Sequence, residues 1–433
     1  MGEYVPRSAA VLSHHQRLRP TASVPRTVLL TFAALTALMA CDRKPLPKAG
    51  DLQGEVTALL PKVEEAAGLK FREPPKVASQ SPEQVRAFLV AQFKRPAVLN
   101  DLNAKIGVWK RLGVIPDSVD VVALLTRMLT EQVVGFYDPK SKTLYVVEGR
   151  AGVERETVIR HELTHALQDQ YVNLDSIQNV LGDDDGVEAA QAVLEGHATV
   201  MMIGNAARTI AWDKARESIR DARKSSPIFA SAPAFLAEGL LFPYLGGAEF
   251  VRTLMADGVS SAQLLAALPT STAQVLHAER WGAKGNPGEV VRFAAEKGAT
   301  IRYQNSLGEF ETRLALVELL GDVGRASQAA KGHDGDRYAV VSVGKGEGLV
   351  WVSVWDTALD AEEFAETLGA AVSRRYKAPV NSRAGQRDIT TPGRRLTIRT
   401  ERSGNREIVI FQDLPVGVMG AVVTAASVTV SPR

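Results

Sequence analysis

The stretch Arg160-His161-Glu162-Leu163-Thr164-His165-Ala166-Leu167 decides how this chain is built, because it contains the pattern His-Glu-x-x-His. On a helix, residues four positions apart lie on one face, so His161 and His165 stand side by side and can share one metal ion. Glu162 follows the first histidine and can reach a water bound to that metal. Zinc accepts neutral imidazole nitrogen and imposes no geometry of its own, so the pattern favours zinc.

The sequence around this motif predicts a helix over residues 157–170, a span that contains neither glycine nor proline. Its apolar positions are Val158, Ile159, Leu163, Ala166 and Leu167. No charged residue stands between Glu162 and His165, as expected for a buried helix. The chain has only seven histidines, and two of them fall at this spacing beside a glutamate. That coincidence weighs against a surface helix whose histidines have no role.

A third metal ligand is expected from a later helix, since catalytic zinc usually takes three protein ligands and leaves a fourth position for water. The best candidate is Glu195, thirty residues after His165 in an otherwise small and apolar run. An unpaired carboxylate is costly in such surroundings, and a metal ion removes the cost. Gly196 and Ala198 leave room for another helix to pack close. Thr199 shares the face of Glu195 and could hydrogen-bond a ligand.

Three alternatives to this choice of ligand stay open at the sequence level. Glu188, two turns earlier, lies on the same helix face and is the second candidate. His197 is a rival, but it points to the other side of the helix if Glu195 faces inward. Glu195 could also occupy a solvated helix position.

Several stretches together resemble the zincin metallopeptidases of the gluzincin branch, in which two histidines and one glutamate bind zinc. The chain is similar in particular to a group of bacterial and archaeal predicted zinc proteases. The stretches that carry the resemblance are residues 135–139, 143–147, 161–170, 194–199 and 271–277, with weaker likeness at 335–338 and 355–357. That group has aspartate where this chain has His197, a departure that leaves the three ligands intact.

The resemblance implies a zinc-dependent peptidase with one zinc ion per chain, held by His161, His165 and Glu195. Glu162 would then take a proton from the attacking water and deliver it to the leaving amine. A strand just before the motif helix would pair with an extended peptide or protein substrate. A further donor should steady the developing oxyanion. The candidates for that donor are Tyr137, Tyr244, His197 and His277.

Two other functions stay open beside the peptidase. One is a binding or scaffold lipoprotein that keeps the zinc fold without turnover. The intact Glu162 weighs against it, because a scaffold has no use for a base beside the metal. The other is a zinc hydrolase of a non-peptide amide, which the metal motif alone does not separate from a peptidase.

Overall composition is that of an ordinary globular protein, with 433 residues, 45% hydrophobic and 23% charged, and a formal net charge of +2. Residues 1–40 contain four arginines and one glutamate, so the rest of the chain has a formal charge of −1. A nearly neutral chain of this kind argues against nucleic acid as a partner. Its oligomeric state is not readable.

The first 40 residues have the pattern of an export signal, with arginines preceding an apolar stretch over residues 28–40. That stretch is shorter than the roughly 20 residues that span a bilayer. It ends in Leu38-Met39-Ala40-Cys41, which resembles a bacterial lipobox, and Cys41 is the only cysteine. We therefore expect a lipid anchor at Cys41 and an extracytoplasmic location on the cell envelope, at a membrane left undecided. The alternative is a simple secretory signal. Residues 41–50 follow as a polar tether.

The remaining chain predicts an α+β fold in two parts. Residues 51–282 form a zincin-like, mainly helical domain with a small β-sheet, which includes a hairpin of residues 133–137 and 143–147. Residues 283–433 form a C-terminal α+β domain with an antiparallel sheet, whose role is unknown. Pro61 is expected to kink or break the first helix. Two helices, 235–241 and 248–257, are expected on either side of residues 243–247, and a polar loop over 175–185.

Overall fold

The computed structural model describes residues 52–132, 135–148, 153–178, 180–204, 226–296 and 298–433, together with the single positions 214, 217 and 221. Within them the protein is a mixed α and β structure, which confirms the predicted α+β class. The proposed signal segment 1–40, the tether 41–50 and Cys41 lie outside the described residues. The division into two domains at residue 282 stays a prediction.

The first half of the described chain is mainly helical. Its helices are α1 Leu52–Ala67, α2 Pro82–Phe93, α3 Pro96–Leu112, α4 Val121–Gln132, α5 Val153–Gln168, α6 Leu174–Gln178, α7 Asp184–Ile203, α8 Pro227–Ser231, α9 Ala234–Ala256, α10 Ser261–Ala266 and α11 Thr272–Leu276. A 3₁₀ turn, Ala278–Arg280, follows α11. The helix predicted over residues 157–170 corresponds to the C-terminal part of α5. The observed helix ends at Gln168, two residues earlier than predicted.

A small sheet precedes the motif helix and has the strand order β1-β3-β2. Its strands are β1 Lys76–Gln80, β2 Gly135–Asp138 and β3 Thr143–Val147. β2 and β3 form the predicted antiparallel hairpin. The Asp138 carboxylate closes its turn by accepting hydrogen bonds from the Lys140 and Ser141 amides. β2 lies at one edge of this sheet, and the central strand β3 is the one that immediately precedes α5 in the chain.

The second half is built on a seven-stranded sheet of order β5-β6-β7-β11-β10-β9-β8, in which every neighbouring pair is antiparallel, as predicted. The strands and helices of this half are β4 Glu289–Phe293, β5 Thr300–Asn305, α12 Gly308–Leu320, α13 Val323–Ala330, β6 His333–Val343, β7 Gly346–Trp355, α14 Ala358–Tyr376, β8 Asn381–Arg383, β9 Gln386–Thr390, β10 Arg394–Ser403, β11 Arg406–Pro415 and β12 Val428–Pro432. β4 and β12 form a separate antiparallel pair.

Both faces of this sheet are covered, which explains why β7 is apolar along most of its length rather than alternating. On one face, Trp355 stacks on Phe364 of α14 with ring centroids 4.5 Å apart. On the other face, Val352 and Ile410 are buried in a cluster with Val291 of β4.

Helices α7 and α9 pack at backbone contact, and this crossing positions the third predicted ligand. A Cβ atom on Gly196 would lie 2.1 Å from the carbonyl carbon of Gly247. A Cβ atom on Gly247 would lie 1.8 Å from the backbone oxygen of Ala192. Only glycine fits either position, so the small residues noted in the sequence do admit a closely packed helix.

Three local predictions differ from the structure. α9 is one continuous helix through Pro243, because its apolar side chains pack along α7 and that burial outweighs the roughly 3 kcal/mol cost of an internal proline. α1 likewise continues through Pro61, so the proline does not break this helix, and Val56, Leu59 and Val63 are buried along it. α6 interrupts the expected loop at 175–185.

α9 is also long and apolar enough, by length and composition, to cross a membrane, but 61% of its most apolar window is buried inside the molecule.

Candidate metal centre

The two motif histidines stand side by side on α5, as their spacing predicts. The Nε2 atoms of His161 and His165 are 3.0 Å apart, and their ring centroids are 4.7 Å apart. Both side chains are buried. The helix is held in place from behind by Ile159, Leu163 and Leu167, none of which is exposed. The apolar side of α5 therefore fixes the direction in which the two imidazoles point.

Glu195 of α7 completes the cluster from the facing helix. Its Oε2 atom lies 3.1 Å from Nε2 of His161 and 3.3 Å from Nε2 of His165. Bonds of about 2.0–2.1 Å at tetrahedral angles place zinc ligand atoms about 3.3 Å from one another. The three donor atoms are therefore already at the spacing that one tetrahedral ion requires. Within the described part of the chain, this is the group of histidines and acids that could hold a metal.

The charges in the cluster are arranged for a cation. Burial alone would raise the pKa of Glu195, but the neighbouring His165 outweighs it and lowers that pKa to about 2. Burial would lower the pKa of His165, but Glu195 overcomes it and raises that pKa to about 9. Burial lowers the pKa of His161. Without a metal, the carboxylate thus keeps one proton on His165, and a divalent cation would take the place of that proton.

Glu162 is completely buried beside the cluster, next to Gly135, the first residue of the edge strand β2. A Cβ atom on Gly135 of β2 would lie 3.6 Å from Cγ of Glu162 and 3.1 Å from the backbone oxygen of Tyr145. The charge of Glu162 also contributes to the raised pKa of His165. Glu162 therefore lies between the metal ligands and the edge strand.

The two rival ligands are not part of the cluster. Glu188 lies two turns earlier on α7, and burial together with the charge of Glu311 raises its pKa well above the ordinary value. His197 lies behind the cluster, with Nδ1 3.0 Å from the side-chain nitrogen of Gln168 and Nε2 2.9 Å from Oγ of Ser261. The buried Thr199 hydroxyl has no hydrogen-bond partner among the described residues.

Of the four candidate oxyanion donors, Tyr244 is the one that contacts a ligand ring, with its own ring stacked 6.2 Å from that of His161. The hydroxyl of Tyr137 donates to Asp169 at 2.8 Å instead. His277 pairs with Glu309 at 2.8 Å, and that hydrogen bond raises the pKa of His277. His197 is held by its contacts behind the cluster.

The sequence did not single out Gln168, which is fully buried and contacts both His165 and the α7 backbone. A usable signal was present, because Gln168 is three positions after His165 and so lies on the same side of the helix. Ser261 carried no signal, since it meets the site only through the fold.

Comparison with known proteins adds little about this site. Residues 299–422 match the family model of a domain of unknown function, DUF8575, which covers much of the C-terminal sheet and leaves the metal cluster outside. No curated protein matches. One solved structure, a candidate hydrolase with a novel fold from Chloroflexus aurantiacus, is 18% identical with a TM-score of 0.34. The match covers 57% of this chain and 94% of the other. A likeness at that TM-score supports no inference about fold or function.

Proposed function

We propose that this protein is a zinc-dependent metallopeptidase with one zinc ion per chain, held by His161, His165 and Glu195. The observation that carries the proposal is the spacing of their three donor atoms, 3.0, 3.1 and 3.3 Å, in a buried site with an acid alongside. Two histidines and one glutamate are a donor set of catalytic rather than structural zinc, because they leave the fourth position open.

Glu162 is the general base of the proposed reaction. When bound, zinc supplies a Lewis acid that polarises the scissile carbonyl and acidifies water. Glu162 accepts the proton of the attacking water and returns it to the leaving amine. Its burial and the effect of its charge on His165 support this role. Of the candidate donors to the oxyanion, we favour Tyr244, because its ring lies against that of His161.

The edge strand β2 supports a peptide as the substrate. An extended peptide can add to an exposed sheet edge through backbone hydrogen bonds. β2 is the outer strand of its sheet, and Gly135 brings its backbone against the side chain of Glu162. A peptide paired along β2 would therefore pass directly beside the proposed base. The residues of β2 other than Asp138 are buried, so the peptide would have to displace what covers this edge. A small amide that is not a peptide would make no use of this edge.

The proposed location is the extracytoplasmic side of the cell envelope, where a lipid on Cys41 would attach the enzyme to a membrane. It is supported by the arginines, apolar stretch and Leu38-Met39-Ala40-Cys41 sequence of the first 41 residues. The substrates would then be envelope proteins, exported peptides or material from outside the cell.

The test compares the full chain, purified in detergent, with three variants. The parent should contain one zinc per chain and cleave members of a mixed peptide library. His165→Ala should lose the metal, whereas His277→Ala, whose imidazole pairs with Glu309, should keep it. Glu162→Gln should keep zinc, with turnover lower by roughly 100-fold or more. Stoichiometric zinc in His165→Ala would overturn the ligand set. Unchanged cleavage by Glu162→Gln would remove Glu162 as the base, and a parent that binds zinc but cleaves nothing would overturn the peptidase.

A further inference from the structure

Gln168 is the last residue of α5, and its side-chain amide has one possible orientation. Its Nε2 atom lies 2.8 Å from the backbone oxygen of Leu194. A carbonyl oxygen can only accept a hydrogen bond, so the atom facing it must be the amide nitrogen. The amide oxygen is therefore the atom that lies 2.9 Å from Nδ1 of His165.

This orientation decides which nitrogen of His165 faces the metal. An amide oxygen can only accept, so Nδ1 of His165 must carry the hydrogen of that bond. Its other nitrogen, Nε2, then keeps its lone pair when the ring is neutral. Nε2 is also the atom that lies 3.0 Å from Nε2 of His161 and 3.3 Å from Glu195. Gln168 thus selects the form of His165 that can coordinate an ion.

His197 and Ser261 hold the amide of Gln168 from the other side. The amide nitrogen lies 3.0 Å from Nδ1 of His197, and since that nitrogen donates, Nδ1 accepts. The hydrogen of neutral His197 is then on Nε2, which donates to Oγ of Ser261 at 2.9 Å. All four side chains are buried, so water cannot easily replace any of these bonds.

We infer that Gln168, His197 and Ser261 are positioning residues for the metal centre, acting in the order Ser261, His197, Gln168 on His165. This inference rests on the proposed function. The chain of hydrogen bonds joins both ligand-bearing helices, because Gln168 belongs to α5 while Leu194 and His197 belong to α7. It therefore sets both the tautomer of His165 and the approach of Glu195, which follows Leu194 directly.

The first test measures zinc affinity of the full chain by competition with a chromophoric chelator at fixed pH. Gln168→Met keeps the volume but removes the acceptor, and the dissociation constant should rise by roughly 10- to 100-fold. The same substitution two residues on, Gln170→Met, is the control, since that side chain bonds the Arg72 amide and the Glu73 carbonyl instead. Its zinc affinity should equal that of the parent. With cobalt in place of zinc, the visible absorption of Gln168→Met should shift, and that of Gln170→Met should not.

The second test uses His197, where a merely structural role predicts a different result. His197→Leu should weaken zinc binding by about tenfold. His197→Asn offers an oxygen near the position of Nδ1, so it should recover most of the lost affinity and the cobalt spectrum of the parent. If Gln168→Met does not fold, the His197 pair and Ser261→Ala, with a smaller loss expected, decide the question.

The outcomes separate this inference from the proposed function. A parent chain that takes up no zinc overturns the metal centre itself. If the parent binds zinc tightly while Gln168→Met and His197→Leu bind it equally well, only the positioning role is overturned. Equal losses in His197→Leu and His197→Asn would also contradict it, because packing alone would then explain the effect.

Discussion

Glu311 of α12 is a carboxyl whose surroundings disfavour its charged form. Burial, together with the charge of Asp184, raises the pKa of Glu311 to about 8, although Lys105 acts in the opposite direction. Glu188 of α7 is the neighbour whose own pKa is raised by burial and by the charge of Glu311. The two acids therefore do not both ionise at neutral pH, and they titrate as a coupled pair.

Glu311→Gln should make the stability of the protein less dependent on pH. The ordinary pKa of the group is 4.5, so between about pH 4.5 and 8 the folded state binds a proton that the unfolded state has lost. The free energy of unfolding of the parent therefore falls as pH rises through this window. Glutamine cannot ionise, and it also removes the negative charge that raises the pKa of Glu188. Melting temperatures at pH 5 and pH 8 should differ less for Glu311→Gln than for the parent. Glu366→Gln, at an exposed position of α14, is the control, and an equal pH slope in all three proteins would contradict the prediction.

Individual residues of the site were predictable to the extent that they are local in sequence. His161 and His165 follow from the period of one helix, and Glu195 from the cost of an acid in an apolar run. The bonds from Gln168 to Leu194 and from His197 to Ser261 join positions 26 and 64 residues apart. No local pattern specifies such contacts, since they depend on how the helices meet.

The substitution Gly247→Ala tests the close packing of α9 against α7. The new methyl group would meet the backbone oxygen of Ala192, which cannot move aside as a side chain can. We expect a loss of about 1–3 kcal/mol in the free energy of unfolding, and weaker zinc binding, because Glu195 moves with α7. Chemical denaturation of the parent and variant measures the first effect.

Gly239→Ala, in the same helix α9, is the matched control. A Cβ atom at Gly239 meets nothing within 4 Å, so alanine should raise the free energy of unfolding by about 0.5–1 kcal/mol. If both variants were destabilised alike, the close crossing would not be the cause.

Among the helices and strands, those with strong periodicity or turn signals were predictable. The β2–β3 hairpin has such a signal in Asp138 and the residues after it. β1 does not, because Lys76–Gln80 is mostly polar and becomes a strand only by pairing in parallel with β3, Lys76 opposite Thr143. The continuity of α9 could not be predicted from its sequence for the same reason. Its partner helix, rather than its own sequence, keeps Pro243 within the helix.

For the whole molecule, the location is tested with Cys41→Ser. If Cys41 carries two or more acyl chains, the parent should fractionate with membranes, since a single chain binds only marginally. The variant should be released into the soluble fraction, with its zinc content unchanged. Mass spectrometry of the mature N-terminus should find acyl chains on Cys41 of the parent. An unmodified Cys41, or a variant that stays with membranes as the parent does, would contradict the lipid anchor and leave the metal centre untouched.

The separation of the metal ligands along the chain has a consequence for how the protein acquires its ion. His165 and Glu195 belong to different helices, so their donor atoms meet only after α5 and α7 have docked. The unfolded polypeptide has no preformed site, and metal affinity is gained together with the fold. A chain that crosses a membrane unfolded therefore leaves any cytoplasmic zinc behind. If the protein is an exported zinc enzyme, as we propose, it would have to be loaded at its destination, where the free zinc concentration would decide both its activity and its thermal stability.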